Sequence, residues 1–122
     1  MKKILIVDDS KMARNYHAYV LKNAGYRVIE AIDGADALEK LFSNPDISCI
    51  ITDLNMPNMD GLTFIKKVRE KEEFKKIPII IVTTLDENYD KSEGFKAGAN
   101  YYLIKPTKPS ALISTIKLLL KD

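Results

Sequence analysis

Ile47 to Gly61, ISCIITDLNMPNMDG, reads as an apolar strand running into Asp53, then a tight loop marked by Asn and Pro, then Asp60-Gly61 opening a helix. A carboxylate at the end of a buried strand needs a counter-charge, because desolvating it unpaired is costly. Taken alone, an Asp in this position more often ends a strand and caps the next turn. The remainder of the chain turns the reading the other way.

Working outward, five short apolar or β-branched runs alternate with helix-like segments, without a linker, repeat or break in composition. That rhythm predicts an α/β fold, a doubly wound parallel sheet with helices on both faces. The first strand is Lys3 to Val7, after which Ser10 caps a helix from Lys11 to Ala24 that Gly25 ends. Its inner stripe is expected at Ala13, Tyr16, Val20, Leu21 and Ala24, and His17, which falls within it, is read as a packed side chain without chemistry. Arg27 to Ala31 is the second strand, Asp33-Gly34 a turn, and Ala35 to Ser43 a helix stopped by Asn44-Pro45. After Asp60-Gly61 comes a helix from Leu62 to Lys71, with Leu62, Ile65 and Val68 inward, and then a charged, solvated stretch to Lys76. Ile77 to Thr83 is the most continuously apolar run, as suits a strand covered on both faces. A polar loop over 85–88 leads to a helix from Tyr89 to Ala97 ended by Gly98; then follow a strand from Tyr101 to Ile104, Lys105-Pro106, and a last helix beginning near Pro109.

At 122 residues the chain is expected to be one domain, with apolar residues at 46% and charged ones at 30%. The net charge of +2 comes from mixed signs, and no basic helix-turn-helix is visible, so nucleic acid is not an expected partner. Cys49, the single cysteine, excludes an intrachain disulfide and sits in an apolar run where an inert thiol belongs. The opening MKKILIVDD is too short for a signal peptide, and no segment reaches the roughly 20 apolar residues of a membrane span. A cytoplasmic protein is the expectation.

Polar residues mark the carboxyl ends of four strands: Asp8 and Asp9 after the first, Asp53 after the third, Thr83 at the fourth, Lys105 after the fifth. In a parallel sheet these ends share one edge, where such folds place ligands. Three converging carboxylates repel one another, and a divalent cation relieves this; oxygen donors with room for phosphate suit Mg²⁺, and no His or Cys cluster suggests zinc. Thr83 and Lys105 add donors for phosphoryl oxygens. The constellation points to phosphoryl transfer onto Asp53 as an acyl phosphate. Neither GxxxxGK[ST] nor GxGxxG is present, so the donor must come from another molecule.

Asp8-Asp9, the segment from Asp53 to Gly61, Thr83 and Lys105-Pro106 together resemble the receiver domain of two-component response regulators, along essentially the whole chain. With no output domain after the last helix, the likeness is greatest to the stand-alone chemotaxis-type (CheY-like) receivers, which implies a flavodoxin-like sheet of order 2-1-3-4-5. It also implies residue roles. Asp53 accepts a phosphoryl group from a phosphohistidine on a histidine kinase or phosphotransfer protein. Asp9, Asp53 and the backbone carbonyl of Asn55 ligate Mg²⁺, with Asp8 acting chiefly through water. Lys105 bridges to the phosphoryl group and precedes a cis proline. Thr83 moves toward the phosphate and Tyr102 swings inward, repacking the face of the fourth helix, fifth strand and last helix where a target protein binds.

Three positions depart from the family pattern. Thr84 replaces a small residue and narrows access to the phosphoryl group, Leu85 flanks the path of attacking water, and Thr107 replaces an aromatic or aliphatic residue, so no dimer geometry is carried over. A monomer is expected; the last helix carries a broad apolar stripe of Leu112, Ile113, Ile116, Leu119 and Leu120, with Leu118 off its centre, read first as a wide core face and second as a docking patch for a partner or second copy. The alternatives are a phosphorelay carrier that passes its phosphoryl group to another histidine protein, a receiver reduced to a scaffold, or a haloacid-dehalogenase-like phosphatase. The last needs a titratable acid two residues after the nucleophile, where this chain has Asn55.

Overall fold

In a computed structural model, which describes residues 1–85 and 88–122, the elements follow in the order β1 (Lys3–Val7), α1 (Lys11–Asn23), β2 (Arg27–Ala31), α2 (Gly34–Ser43), β3 (Ile47–Thr52), α3 (Gly61–Glu70), β4 (Ile79–Thr83), α4 (Asn88–Ala97), β5 (Tyr101–Ile104) and α5 (Pro109–Leu120). The expected polar loop over 85–88 includes Asp86 and Glu87, which lie outside the described residues. The strands form one sheet of order β2-β1-β3-β4-β5, and every pairing is parallel. The doubly wound α/β fold expected from the alternation is therefore present.

Period-two alternation along the strands divides the core. Leu5, Val7, Ile50, Ile79 and Ile81 face one side and pack with Ala37 and Leu41 of α2, Phe64, Ile65 and Val68 of α3 and Ala97 of α4. Ile4, Ile6, Cys49, Ile51, Ile80 and Val82 face the other, against Ala18, Val20 and Leu21 of α1 and Leu112 and Ile116 of α5. Each Val, Leu, Ile or Phe among them, removed from water, contributes about 1.5–3 kcal/mol before entropy is charged against it. Cys49 is buried, and burial pushes its thiol up to about 12, which keeps it an inert thiol.

Caps place the helices. Ser10 Oγ accepts from the Ala13 amide at 3.2 Å, Asp33 Oδ1 from Asp36 at 2.8 Å, and Asp60 Oδ1 from Thr63 at 2.8 Å. Gly25, at φ +96°, lets the chain leave α1 through the left-handed region.

Several expectations are corrected in detail. β4 starts at Ile79, because Pro78 just ahead of it has no amide hydrogen to donate. Tyr16 is 40% exposed and His17 takes the inner position, since the spacing from Ala13 to His17 to Val20 and Leu21 follows the helical period more closely. Phe64 is fully buried and Leu62 only half-buried. The stretch read as solvated contains a 3₁₀ turn, Glu72–Phe74, that drives Phe74 into the core. The α5 stripe, by contrast, is the wide core face expected of it: Leu112 and Ile116 are buried, Ile113, Leu119 and Leu120 half-buried, and Leu118, off its centre, is 69% exposed.

Candidate functional site

Strand register sets the site. Val7 of β1 pairs with Ala31 of β2 and with Thr52 of β3, Thr52 pairs with Ile81 of β4, and Thr83 pairs with Ile104 of β5, so β1, β2 and β3 end level while β4 and β5 run two residues further at the same edge. Asp8, Asp9, Asp53 and Lys105 each stand just past one of these ends. Asp8 N donates to Ala31 O at 3.1 Å, Asp53 N to Val7 O at 3.0 Å, and Lys105 N to Thr83 O at 2.8 Å, continuing the ladders by one residue.

Asp8, Asp9 and Asp53 each offer a carboxylate oxygen, and these three atoms lie within 4.8 Å of one another. Lys105 Nζ reaches Asp8 Oδ2 at 2.5 Å and Asp53 Oδ2 at 3.1 Å. The Asp8 side chain is only 3% exposed, Asp53 12% and Lys105 16%, so these charges interact with little screening by water. Burial disfavours the Lys105 ammonium, but the Asp8 hydrogen bond and the charges of Asp53 and Asp8 outweigh it and hold the group above its ordinary value. Three carboxylates against one ammonium leave a surplus of negative charge on hard oxygen donors. That donor set fits a hard divalent cation such as Mg²⁺.

The backbone around Asp53 is tightly built. Asp53 Oδ1 accepts from the Leu54 amide at 2.7 Å, and Thr52 Oγ1 donates to the Asp53 carbonyl at 2.9 Å. Gly61 N closes the loop onto Leu54 O at 2.8 Å. A Cβ at Gly61 would fall 2.2 Å from Asp53 O, so only glycine permits this approach. Asn55 is exposed in the loop two residues past Asp53.

Thr83 is buried at the end of β4, and its Oγ1 lies 3.5 Å from the Leu85 amide. Tyr102 is half-buried, and its hydroxyl donates to Leu85 O at 2.7 Å, an inward placement against the loop that follows Thr83. Lys105-Pro106 is cis, as the family resemblance implied.

Four supporting residues have partners that the sequence reading did not supply. Arg14 Nη1 donates to the Asp8 carbonyl at 2.7 Å while its Nε lies 3.4 Å from Glu30 Oε1, so α1 and β2 together fix the turn that presents the acids. Asn58, at φ +67°, donates from Nδ2 to Asp33 Oδ2 at 2.8 Å and ties the loop after Asp53 to the start of α2. That hydrogen bond, with the Asp36 amide, holds the Asp33 carboxyl below its ordinary range. His17 and Thr107 pair at 3.3 Å beside Lys105. Turn residues such as Asp33-Gly34 and Asn58 are visible as a class in the sequence; their pairing across 25 positions is not.

A model of the response regulator receiver domain matches residues 4–117. The chain is 43% identical over 119 residues to the chemotaxis protein CheY1 of Helicobacter pylori, covering 97% of this chain and 96% of that protein. It is 40% identical over 111 residues to a chemotaxis protein CheY homolog of Campylobacter jejuni, covering 90% of this chain and 85% of that one. The solved structure of the chemotaxis protein CheY4 of Vibrio cholerae superimposes with a TM-score of 0.93 at 40% identity, over 98% of this chain and 99% of its own. Matched along nearly its full length by that family's model and by its members, the chain belongs to the response regulator receiver domain family.

Proposed function

We propose that the chain is a chemotaxis-type response regulator that takes a phosphoryl group onto Asp53 from a phosphohistidine of a histidine kinase or phosphotransfer protein. The observation that carries this reading is the convergence of three carboxylate oxygens within 4.8 Å on an ammonium that touches two of them. One Asp53 oxygen attacks phosphorus, the bond from phosphorus to the donor's imidazole nitrogen breaks, and the imidazole leaves with the bonding pair and takes up a proton. Asp9, Asp53 and the Asn55 carbonyl would hold Mg²⁺, with Asp8 assisting through water, and the bound cation would supply positive charge to screen the phosphoryl oxygens. Lys105 turns from the bare carboxylate to the phosphoryl group as negative charge arrives there.

The output is a population shift. A phosphoryl group at Asp53 favours the arrangement in which the Thr83 hydroxyl bonds to it, and Tyr102 repacks with the loop between them. The α4, β5 and α5 face then binds its protein target more tightly, and by linkage the target favours phosphorylation. In this reading the protein is a signalling module that assists its own phosphorylation and dephosphorylation.

The test is incubation with Mg²⁺ and acetyl phosphate, followed by phosphate-affinity electrophoresis of the chain and its Asp53→Asn variant. A retarded band that needs Mg²⁺ and vanishes in the variant supports the reading. Its absence from the unaltered chain overturns it.

A further inference from the structure

We infer that His17 and Tyr16 are positioning residues for phosphoryl transfer: through Thr107 they anchor to α1 the loop that carries Lys105. The inference rests on the proposed role of Lys105.

Consecutive residues of α1 engage both oxygens of Thr107. Tyr16 donates its hydroxyl hydrogen to the Thr107 carbonyl at 2.8 Å, and His17 Nε2 pairs with Thr107 Oγ1 at 3.3 Å. His17 and Thr107 are both buried, whereas Tyr16 is partly exposed. A lysine side chain is long and loses much freedom when its ammonium is held in one place. Its backbone must therefore be fixed on both sides. Upstream this is done by Lys105 N on Thr83 O, 2.8 Å. Downstream, the loop borders an open pocket of about 320 Å³ lined by Met12, Ala13, His17, Thr84, Lys105 and Thr107. On that side the hydrogen bonds to Thr107 tie the loop to α1.

The anchor point is also referenced to the acids. The amide of Ser10, which caps α1, donates to Asp8 Oδ1 at 2.9 Å, and Arg14 one turn on donates to the Asp8 carbonyl. Thus the helix that is pinned to Asp8 at its start is pinned to the Lys105 loop in its next turn. Cation and acids share one rigid frame, so Lys105 arrives at the phosphoryl group without a search.

The test compares the unaltered chain with Thr107→Val, Thr107→Ser and Tyr16→Phe. For each, the rate of phosphorylation is followed against acetyl phosphate concentration in saturating Mg²⁺, and Mg²⁺ affinity is measured separately. Thr107→Val keeps shape and loses the hydroxyl. Its maximal rate is expected to fall roughly three- to tenfold, with donor half-saturation and Mg²⁺ affinity within about twofold. Thr107→Ser restores the hydroxyl and is expected to recover most of the rate. Tyr16→Phe, an alteration of a surface side chain that does not threaten folding, is expected to slow the reaction roughly two- to fivefold even if Thr107→Val fails to fold. Rates equal to the unaltered chain in Thr107→Val or Tyr16→Phe overturn the inference. So does a Thr107→Ser as slow as Thr107→Val, or a loss of Mg²⁺ affinity in step with the rate. If the unaltered chain takes no phosphoryl group, the proposed function fails and this inference with it; normal phosphorylation with unresponsive variants removes this inference alone.

Discussion

Tyr102 and Leu85 are joined by a hydrogen bond of 2.7 Å from the phenol hydroxyl to the backbone carbonyl, which draws the ring of β5 against the loop leaving β4. The ring also packs beside the core shared by α3 and α4. A half-buried bond of this kind contributes about 0.5–1.5 kcal/mol net. Tyr102→Phe is therefore expected to lower the unfolding free energy by about 1 kcal/mol in urea titrations while phosphorylation proceeds within about twofold of its normal rate. An unchanged midpoint contradicts the contact.

Gly61 is dictated by backbone proximity. Any β-carbon there meets the Asp53 carbonyl at 2.2 Å and the Leu54 α-carbon at 2.8 Å, both backbone atoms with no freedom to yield. Gly61→Ala is expected to cost about 1–3 kcal/mol and to displace Asp53, slowing phosphorylation by at least about tenfold. Thermal unfolding and phosphate-affinity electrophoresis check the two effects; wild-type values in both refute the crowding.

Lys105 neutralises a carboxylate that is almost wholly buried. Lys105→Ala leaves Asp8 without that partner and is expected to destabilise the metal-free protein by about 3 kcal/mol. Added Mg²⁺ should close much of the gap, and Mg²⁺ affinity should rise, because the ammonium no longer competes for the same oxygens. Calorimetric titration and unfolding with and without Mg²⁺ test this. Weaker Mg²⁺ binding in the variant would count against the competition.

His17, the chain's single histidine, is held below its ordinary 6.5 by burial first and by the Lys105 charge second, against smaller opposing effects of Asp8 and Asp53. In the unfolded chain it takes up a proton as pH falls through about 6.5, whereas in the folded chain it stays neutral until lower pH. The folded state is thus at no disadvantage above that range and loses stability as pH falls below it. Urea unfolding at pH 7.5 and 5.5 should show a larger loss in the unaltered chain than in His17→Gln. Equal losses would exclude the linkage.

The strands and the polar residues at their ends are legible in the amino-acid order because each is a local pattern: an apolar run, then Asp8-Asp9, Asp53, Thr83 or Lys105. What stays hidden is pairing across the chain. Arg69 lies in the helix read from Leu62 to Lys71, off the inward positions named for it, yet its guanidinium donates to the carbonyls of Phe74, Lys75, Ile77 and Gly98 and to Asn100 Oδ1, stapling α3 to the far edge of the sheet. Tyr16 has an apolar ring, so periodicity assigns it inward; its hydroxyl instead reaches Thr107, 91 positions away. Phe74 is concealed in the same way by its charged neighbours, and only the 3₁₀ turn brings it beneath Phe42, with ring centroids 5.6 Å apart.

The most direct test of the account locates the phosphoryl group chemically. Borohydride reduction of the chain after treatment with acetyl phosphate and Mg²⁺ converts an aspartyl phosphate to homoserine, and peptide mass spectrometry reads the position. Homoserine at position 53, dependent on Mg²⁺ and absent from unphosphorylated controls, is the predicted result. Homoserine at position 8 or 9 instead, or none anywhere in a chain that remains folded, would contradict it.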